Sequence, residues 1–147
     1  MRVVVQRVLS SNVTVNHEVV SSIQHGFVLL VGLKKGDTEK DLKYMASKIR
    51  KLRVFSDSEG KMNLSIEQVG GEILSISQFT LYGDVKKQNR PGFSHALPFE
   101  EAKVLYQQFN QLLKEEGLTV KTGIFGEDMA VSLVNDGPVT LIINTDE

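Results

Sequence analysis

Residues 26–33, GFVLLVGL, form the most apolar stretch of the chain, and their reading decides the fold class. A strand with no polar residue on either face needs a layer of side chains above and below it. The segments on both sides supply that cover. Upstream, Arg2–Leu9 is rich in valine, 12–16 alternates as Asn-Val-Thr-Val-Asn, and Glu18–Ile23 follows a turn at Asn16-His17. Downstream, the turn Gly36-Asp37 leads into a predicted helix from Thr38 to about Leu52. Thr38 and Asp41 are spaced for a capping box, and Leu42, Met45, Ala46, Ile49 and Leu52 recur at three- and four-residue steps as one apolar stripe. The cations Lys48, Arg50, Lys51 and Arg53 gather at its far end, where they suit the helix dipole; a phosphate patch is the sharper reading.

Further along, 56–63 (SDSEGKMN) reads as a polar loop and Gly70-Gly71 as a breaker before a strand predicted over Glu72–Tyr82. Residues 84–97 form a long irregular loop holding Lys86, Lys87 and Arg90. Pro98 suits the first position of a second helix, whose stripe is Ala102, Leu105, Tyr106, Phe109, Leu112 and Leu113, and Gly117 ends it. Strands follow at 118–121, 129–135 and 139–144, the last two joined by a predicted hairpin turn at Asp136-Gly137. The pattern predicts an α+β fold with a mostly antiparallel, barrel-like β-sheet and two main helices, as a single domain over 1–147.

Composition narrows the function. With 17 Lys and Arg against 18 Asp and Glu, the net charge of -1 argues against a non-specific DNA binder, which needs a basic excess. The absence of cysteine removes disulfides, thiol catalysis and zinc ribbons. The first fifteen residues lack the apolar core and cleavage site of a signal peptide, and no apolar run is long enough to span a bilayer. A soluble, cytoplasmic chain is expected. GxSxG, GxxxxGK[ST] and HExxH are absent. His17, His25 and His95 sit at or beside turns with no ligand spacing, and Gly32–Gly36 (GLKKG) reads as a basic turn.

Two segments carry chemistry. Ser77-Gln78-Phe79-Thr80 places polar groups on both faces of an otherwise apolar strand. An edge strand facing water is the plain interpretation; a strand end whose amides and hydroxyls meet a ligand is the functional one. Asn135-Asp136-Gly137-Pro138 reads by default as a turn. A cis Gly-Pro peptide with its carbonyls aimed at a ligand is the sharper interpretation, and Gly137 leaves room for close approach.

SISQFTLYGD at 75–84 and GIFGEDMAVSLVNDGPVT at 123–140 resemble the two signature motifs of the D-aminoacyl-tRNA deacylases. MRVVVQRV at 1–8, FVLLVGL at 27–33 and RPGF at 90–93 are similar to that family as well. The resemblance spans essentially the whole chain. It implies hydrolysis of the ester between a D-amino acid and the 3′-terminal ribose of tRNA, with glycyl-tRNA also accepted. It further implies a homodimer with active sites at the interface and no metal or organic cofactor. Neither a membrane nor DNA is an expected partner. Carried over, Ser77, Gln78, Phe79 and Thr80 line the reacting ester as the catalytic set. Gly137 and Pro138 form a chiral gate that enters the other subunit's pocket, Arg7 braces the gate, and Phe125 and Met129 line the substrate pocket. Gln88 and Glu127 stand where relatives often have glycine and a small residue.

Such a gate makes physical sense, because rejecting L-aminoacyl esters while accepting many D side chains calls for a clash with the wrong hand. Two mechanisms stay open. Thr80 could attack as a nucleophile, although no base is evident; alternatively the substrate's ribose 2′-hydroxyl helps to activate water. The rivals are a non-catalytic RNA-binding module, for which displayed aromatics are few, and a small-molecule esterase using the same pocket.

Overall fold

A computed structural model describes residues 1–146, so the expected domain runs one residue beyond the described ones. The centre of the sheet is β3 (Gly26–Gly32), as its composition demands. Phe27, Leu29, Val31 and Leu33 belong to the larger core, and Val28 to a second, smaller one, so alternate side chains serve opposite faces. On one side β3 pairs antiparallel with β1 (Arg2–Val15), Arg2 opposite Gly32 and Val8 opposite Gly26. The far half of β1 pairs with β2 (Glu18–Ile23). The two predicted strands at 2–9 and 12–16 are therefore one long strand with a register shift near Val13.

On its other side β3 pairs parallel with β6 (Glu72–Ser77), which pairs parallel with β7 (Thr119–Thr122). The sheet is thus mixed and, as expected, mostly antiparallel: the three pairings made by β1 are antiparallel and these two are parallel. Each parallel pair is joined by a crossover containing a helix, as the return to the same end of a sheet requires. Those helices are α1 (Glu39–Lys51) and α2 (Phe99–Glu115). Leu42, Met45, Ala46 and Ile49 of α1 and Ala102, Phe109 and Leu113 of α2 are buried with the helix-facing side of β3. Asp41 accepts a hydrogen bond from the Thr38 N–H at 2.8 Å at the start of α1. Pro98 stands one residue before α2, as its N-cap. The sheet curls until β2 approaches β7, where the Ser21 hydroxyl donates to the Thr122 carbonyl at 2.5 Å and Lys121 Nζ to the Ser22 carbonyl at 3.0 Å. The result is barrel-like and nearly closed.

Gly26 permits the β3–β6 contact. Its φ is +157°, and a Cβ there would land on the backbone of Glu72. The polar loop at 56–63 is the tip of a small hairpin, β4 (Phe55–Ser56) and β5 (Met62–Leu64). Asp57 organises this tip: its carboxylate accepts the N–H groups of Lys61 and Glu59 at 3.0 and 2.9 Å and Asn63 Nδ2 at 3.2 Å. Those bonds, the Lys61 amide first, hold its carboxyl below the ordinary aspartate value. A depressed folded value stabilises above the unfolded one and is lost as pH falls through the folded one. Asp57→Asn is thus expected to lower Tm at neutral pH, with the gap from the unsubstituted protein closing below about pH 4. Thermal melts across pH 3–7 measure this, and a gap independent of pH would refute it.

The last strand, β8 (Ala130–Asn144), runs antiparallel along the outer edge of β1 for its whole length. No hairpin forms at Asp136-Gly137, because both halves of β8 pair with the same strand. Asn135 lies opposite Val8 and Thr140 opposite Gln6, and residues 136–139 bulge out between them.

Candidate active site

Ser77 ends β6 opposite Val31, and the Gln78 N–H donates to the Val31 carbonyl at 2.8 Å to close the ladder. Beyond it β3 has run out, and the chain folds into a 3₁₀ turn over Phe79–Tyr82 rather than continuing as strand to Tyr82. Leu81 donates its N–H to the Gln78 carbonyl at 3.2 Å and lies directly over Gly32, where a Cβ would sit 3.0 Å from the Leu81 Cβ. β6 is an inner strand over Glu72–Ser75, but its ladder to β7 ends there, so Ser77 keeps a partner strand on the β3 side alone. Among the described residues, the amides of Phe79 and Thr80 find no acceptor. Gln78 Nε2 donates to the Thr80 hydroxyl oxygen.

A cavity of about 670 Å³ opens at the carboxyl ends of β3 and β6. Val31 and Ile76 form part of its lining, with Ser77 and Gln78 as neighbouring polar groups. Phe79 packs edge-on against Phe93 at 4.9 Å on one wall, and Phe99 against Phe125 at 5.0 Å on another. Met129, Lys35, Glu127 and Asp128 complete the polar and apolar mix. Behind Phe125 stands Tyr106, with ring centres 5.6 Å apart, whose hydroxyl donates to the Ser75 carbonyl at 2.7 Å. Burial pushes the Tyr106 hydroxyl above its ordinary range, so it stays a neutral donor that ties α2 to β6.

Arg7, Gly137 and Pro138 lie elsewhere. The Gly137–Pro138 peptide is cis and sits exposed on the β8 bulge. The Arg7 side chain is buried; Nη1 donates to the Val54 carbonyl at 2.6 Å and Nε to the Asp136 carbonyl at 3.3 Å, with the Asp136 carboxylate 3.2 Å away. Asn135 closes the base of the bulge. Its Nδ2 donates to the carbonyls of Arg7 and Val139 at 2.9 and 3.1 Å, and its Oδ1 accepts from the Thr140 hydroxyl at 3.0 Å. Register measures the separation from the cavity. Ser77 lies opposite Val31 and so level with Val3, whereas the bulge flanks Arg7. Four residues along the strands and three strand spacings across give roughly 13 Å and 14 Å.

One chain therefore brings Ser77, Gln78, Phe79, Phe125 and Met129 to the cavity. Thr80 lies just outside its lining, and Arg7, Gly137 and Pro138 form a second, distant group. The model of the D-Tyr-tRNA(Tyr) deacylase family matches residues 4–144. The chain belongs to that family. It is 57% identical to the D-aminoacyl-tRNA deacylase of Clostridium perfringens over 145 residues, covering 99% of this chain and 97% of that one. The D-aminoacyl-tRNA deacylase of Thermus aquaticus is 54% identical over 147 residues, covering 100% and 97%. A solved structure described as c-Myc DNA Unwinding Element Binding Protein superposes with TM-score 0.92 at 42% identity over 98% of both chains. A probable eukaryotic D-amino acid tRNA deacylase shares the fold, with TM-score 0.79 at 18% identity over 97% of each.

Sequence reading of this deacylase-family chain missed Asn135, Phe99 and Tyr106. By sequence Asn135 reads only as part of a turn. Phe99 precedes the α2 stripe, and Tyr106 reads as a core residue, which it also is. His95 does not line the cavity. Gln88 donates Nε2 to the Asp84 carbonyl at 3.0 Å across the loop.

Proposed function

We propose that the protein hydrolyses the ester between a D-amino acid and the 3′-terminal ribose of tRNA, releasing free tRNA and the D-amino acid, and that it spares L-aminoacyl-tRNA. The observation that carries this reading is the division just described. Ser77, Gln78 and Phe79 line the cavity, while a backbone wedge at 136–139 stands on the outer strand of the same sheet. In a homodimer the wedge of one subunit enters the cavity of its partner. Gly137 and Pro138 then occupy the direction an L side chain would take, and a D side chain leaves outward. Glycine has nothing to block, so glycyl-tRNA is hydrolysed too. Leu9, Val134, Leu141 and Ile142 are exposed on the β1–β8 pair that carries the bulge, which gives a second copy apolar area to cover. The protein acts in the cytoplasm, and among the described residues no helix is long and apolar enough to cross a membrane.

Chemistry follows from the turn after β6. The unpaired amides of Phe79 and Thr80 receive the charge that builds on the ester oxygen in the tetrahedral intermediate. Water attacks the carbonyl carbon, passing a proton to the ribose 2′-hydroxyl oxygen, which hands its own proton to the departing 3′-oxygen. Thr80 is a poor nucleophile, because its side-chain partner Gln78 is a carboxamide, which is no general base for the hydroxyl proton. Phe125 and Met129 support the terminal adenosine, and Arg7 holds the wedge.

The decisive assay follows hydrolysis of D-tyrosyl-tRNA and L-tyrosyl-tRNA side by side with EDTA present. Loss of the D ester alone is expected. Loss of both would mean an ungated esterase, and loss of neither an RNA-binding module. A 2′-deoxy terminal adenosine is expected to slow D-ester hydrolysis by at least about a hundredfold, within the range of a lost proton-transfer partner; a normal rate would rule out substrate assistance.

A further inference from the structure

The basic turn after β3 has no place in the chemistry above, yet one of its lysines lines the cavity. Lys34 and Lys35 differ sharply. Lys34 Nζ lies 3.8 Å from Asp37 and 3.9 Å from Asp146, so its charge is answered within the chain. Lys35 is exposed, lines the cavity and, among the described residues, has no ion-pair partner. Nor is its turn loose. The Lys35 N–H donates to the His95 carbonyl at 3.1 Å, Lys34 bridges antiparallel to Ala96, and the Lys34 N–H donates to Asp37 Oδ2 at 2.8 Å.

Charge around the cavity is arranged by strand. Lys35 follows β3, whereas Glu127 and Asp128 follow β7, on the other side of β6. Lys35 is the one cation among the described lining residues, and the loop cations Lys86, Lys87 and Arg90 do not line it. A nucleoside ester held in the cavity drags a phosphodiester to its rim, because the terminal adenosine is joined through its 5′-oxygen to the rest of the tRNA. That anion is repelled from the β7 side and met by an unpaired ammonium on the β3 side.

We propose that Lys35 binds this phosphodiester and so makes the site selective for an aminoacyl ester on a polynucleotide over one on a bare nucleoside. The proposal rests on the deacylase reading, which supplies the terminal adenosine ester. Lys35 acts as a specificity residue and takes no part in proton transfer. One partly exposed charge contact, in a single-stranded segment, sets a modest scale.

The test compares D-tyrosyl-tRNA with 3′-O-D-tyrosyl-adenosine, which has the same ester and no phosphate. In Lys35→Gln the ratio of kcat/KM for the tRNA over the nucleoside is expected to fall roughly three- to tenfold, through KM. The dependence of log KM on log salt for the tRNA is expected to lose about 0.7 in slope. Lys35→Arg restores most of the ratio, and Lys34→Gln leaves it unchanged because that ammonium is already paired. An unchanged ratio in Lys35→Gln, or a loss carried entirely by kcat, overturns the proposal. If the unsubstituted protein hydrolyses neither D ester, the deacylase reading has failed and the lysine's role falls with it.

Discussion

Gly137→Ala is expected to cut kcat/KM for D-tyrosyl-tRNA by about a hundredfold and to narrow the gap between D and L substrates. Gly137 holds φ at +118°, a region that L side chains adopt only under strain of about 1–3 kcal/mol. Space is as unfavourable as torsion. A Cβ would lie 2.9 Å from Arg7 Nη2, 2.9 Å from Val139 Cγ2 and 3.1 Å from the Val139 nitrogen. Arg7 cannot swing aside freely, since its guanidinium is tied to the Val54 and Asp136 carbonyls. The bulge itself must therefore shift, and an error near 1 Å in a positioning element is worth about two orders of magnitude in rate. Kinetics on both enantiomers, with a melt to show that folding survives, measure the effect. Wild-type rates and selectivity in this variant would place the selector somewhere other than the bulge.

Phe27→Ala is expected to destabilise the fold by about 3–5 kcal/mol, the usual cost of emptying a fully buried aromatic site. Phe27 is 0% exposed in the central strand and meets the Phe55 ring at 5.0 Å. Its neighbours in the sheet are fixed by ladders to β1 and β6, so they have little freedom to collapse into the void. Tm should fall by about 10 °C. Phe79→Ala is the useful contrast, because Phe79 is 55% exposed and its loss should scarcely move Tm. Urea titrations of both variants check this; a loss below about 1 kcal/mol at Phe27 would contradict the central role of β3.

Local pattern was readable wherever a local pattern decides the outcome. The stripe Leu42, Met45, Ala46 and Ile49 predicted α1 and is buried in it, and the apolar run 27–33, interrupted only by Gly32, predicted a strand covered on both faces. The misreadings share one physical cause, which is pairing between residues far apart in sequence. Asp136-Gly137 has good hairpin chemistry, but each half of β8 gains more by lying along β1, which is long enough to serve both. Ser77–Tyr82 looks like strand by composition, yet β3 stops at Gly32 and leaves the later residues without a ladder. The parallel pairs arise from where two helical crossovers land. Of the site, the motif residues were legible through resemblance, whereas the roughly 13 Å by 14 Å division between cavity and wedge depends on strand register. Asn135 shows the limit well: an asparagine before Asp-Gly reads as turn chemistry, and only the folded chain brings its amide to the Arg7 carbonyl.

The bulge at 136–139 has both of its feet planted in one strand pair, with β1 hydrogen-bonded to β8 before and after it. It has no hinge. A lid earns its selectivity by closing differently on different guests, at the expense of time spent opening; a wedge built this way inherits the stiffness of the sheet and presents the same face to every arrival. On the gate proposed above, discrimination would be complete before any chemistry begins. Its error rate would then be set by static geometry, with no contribution from how quickly a segment moves.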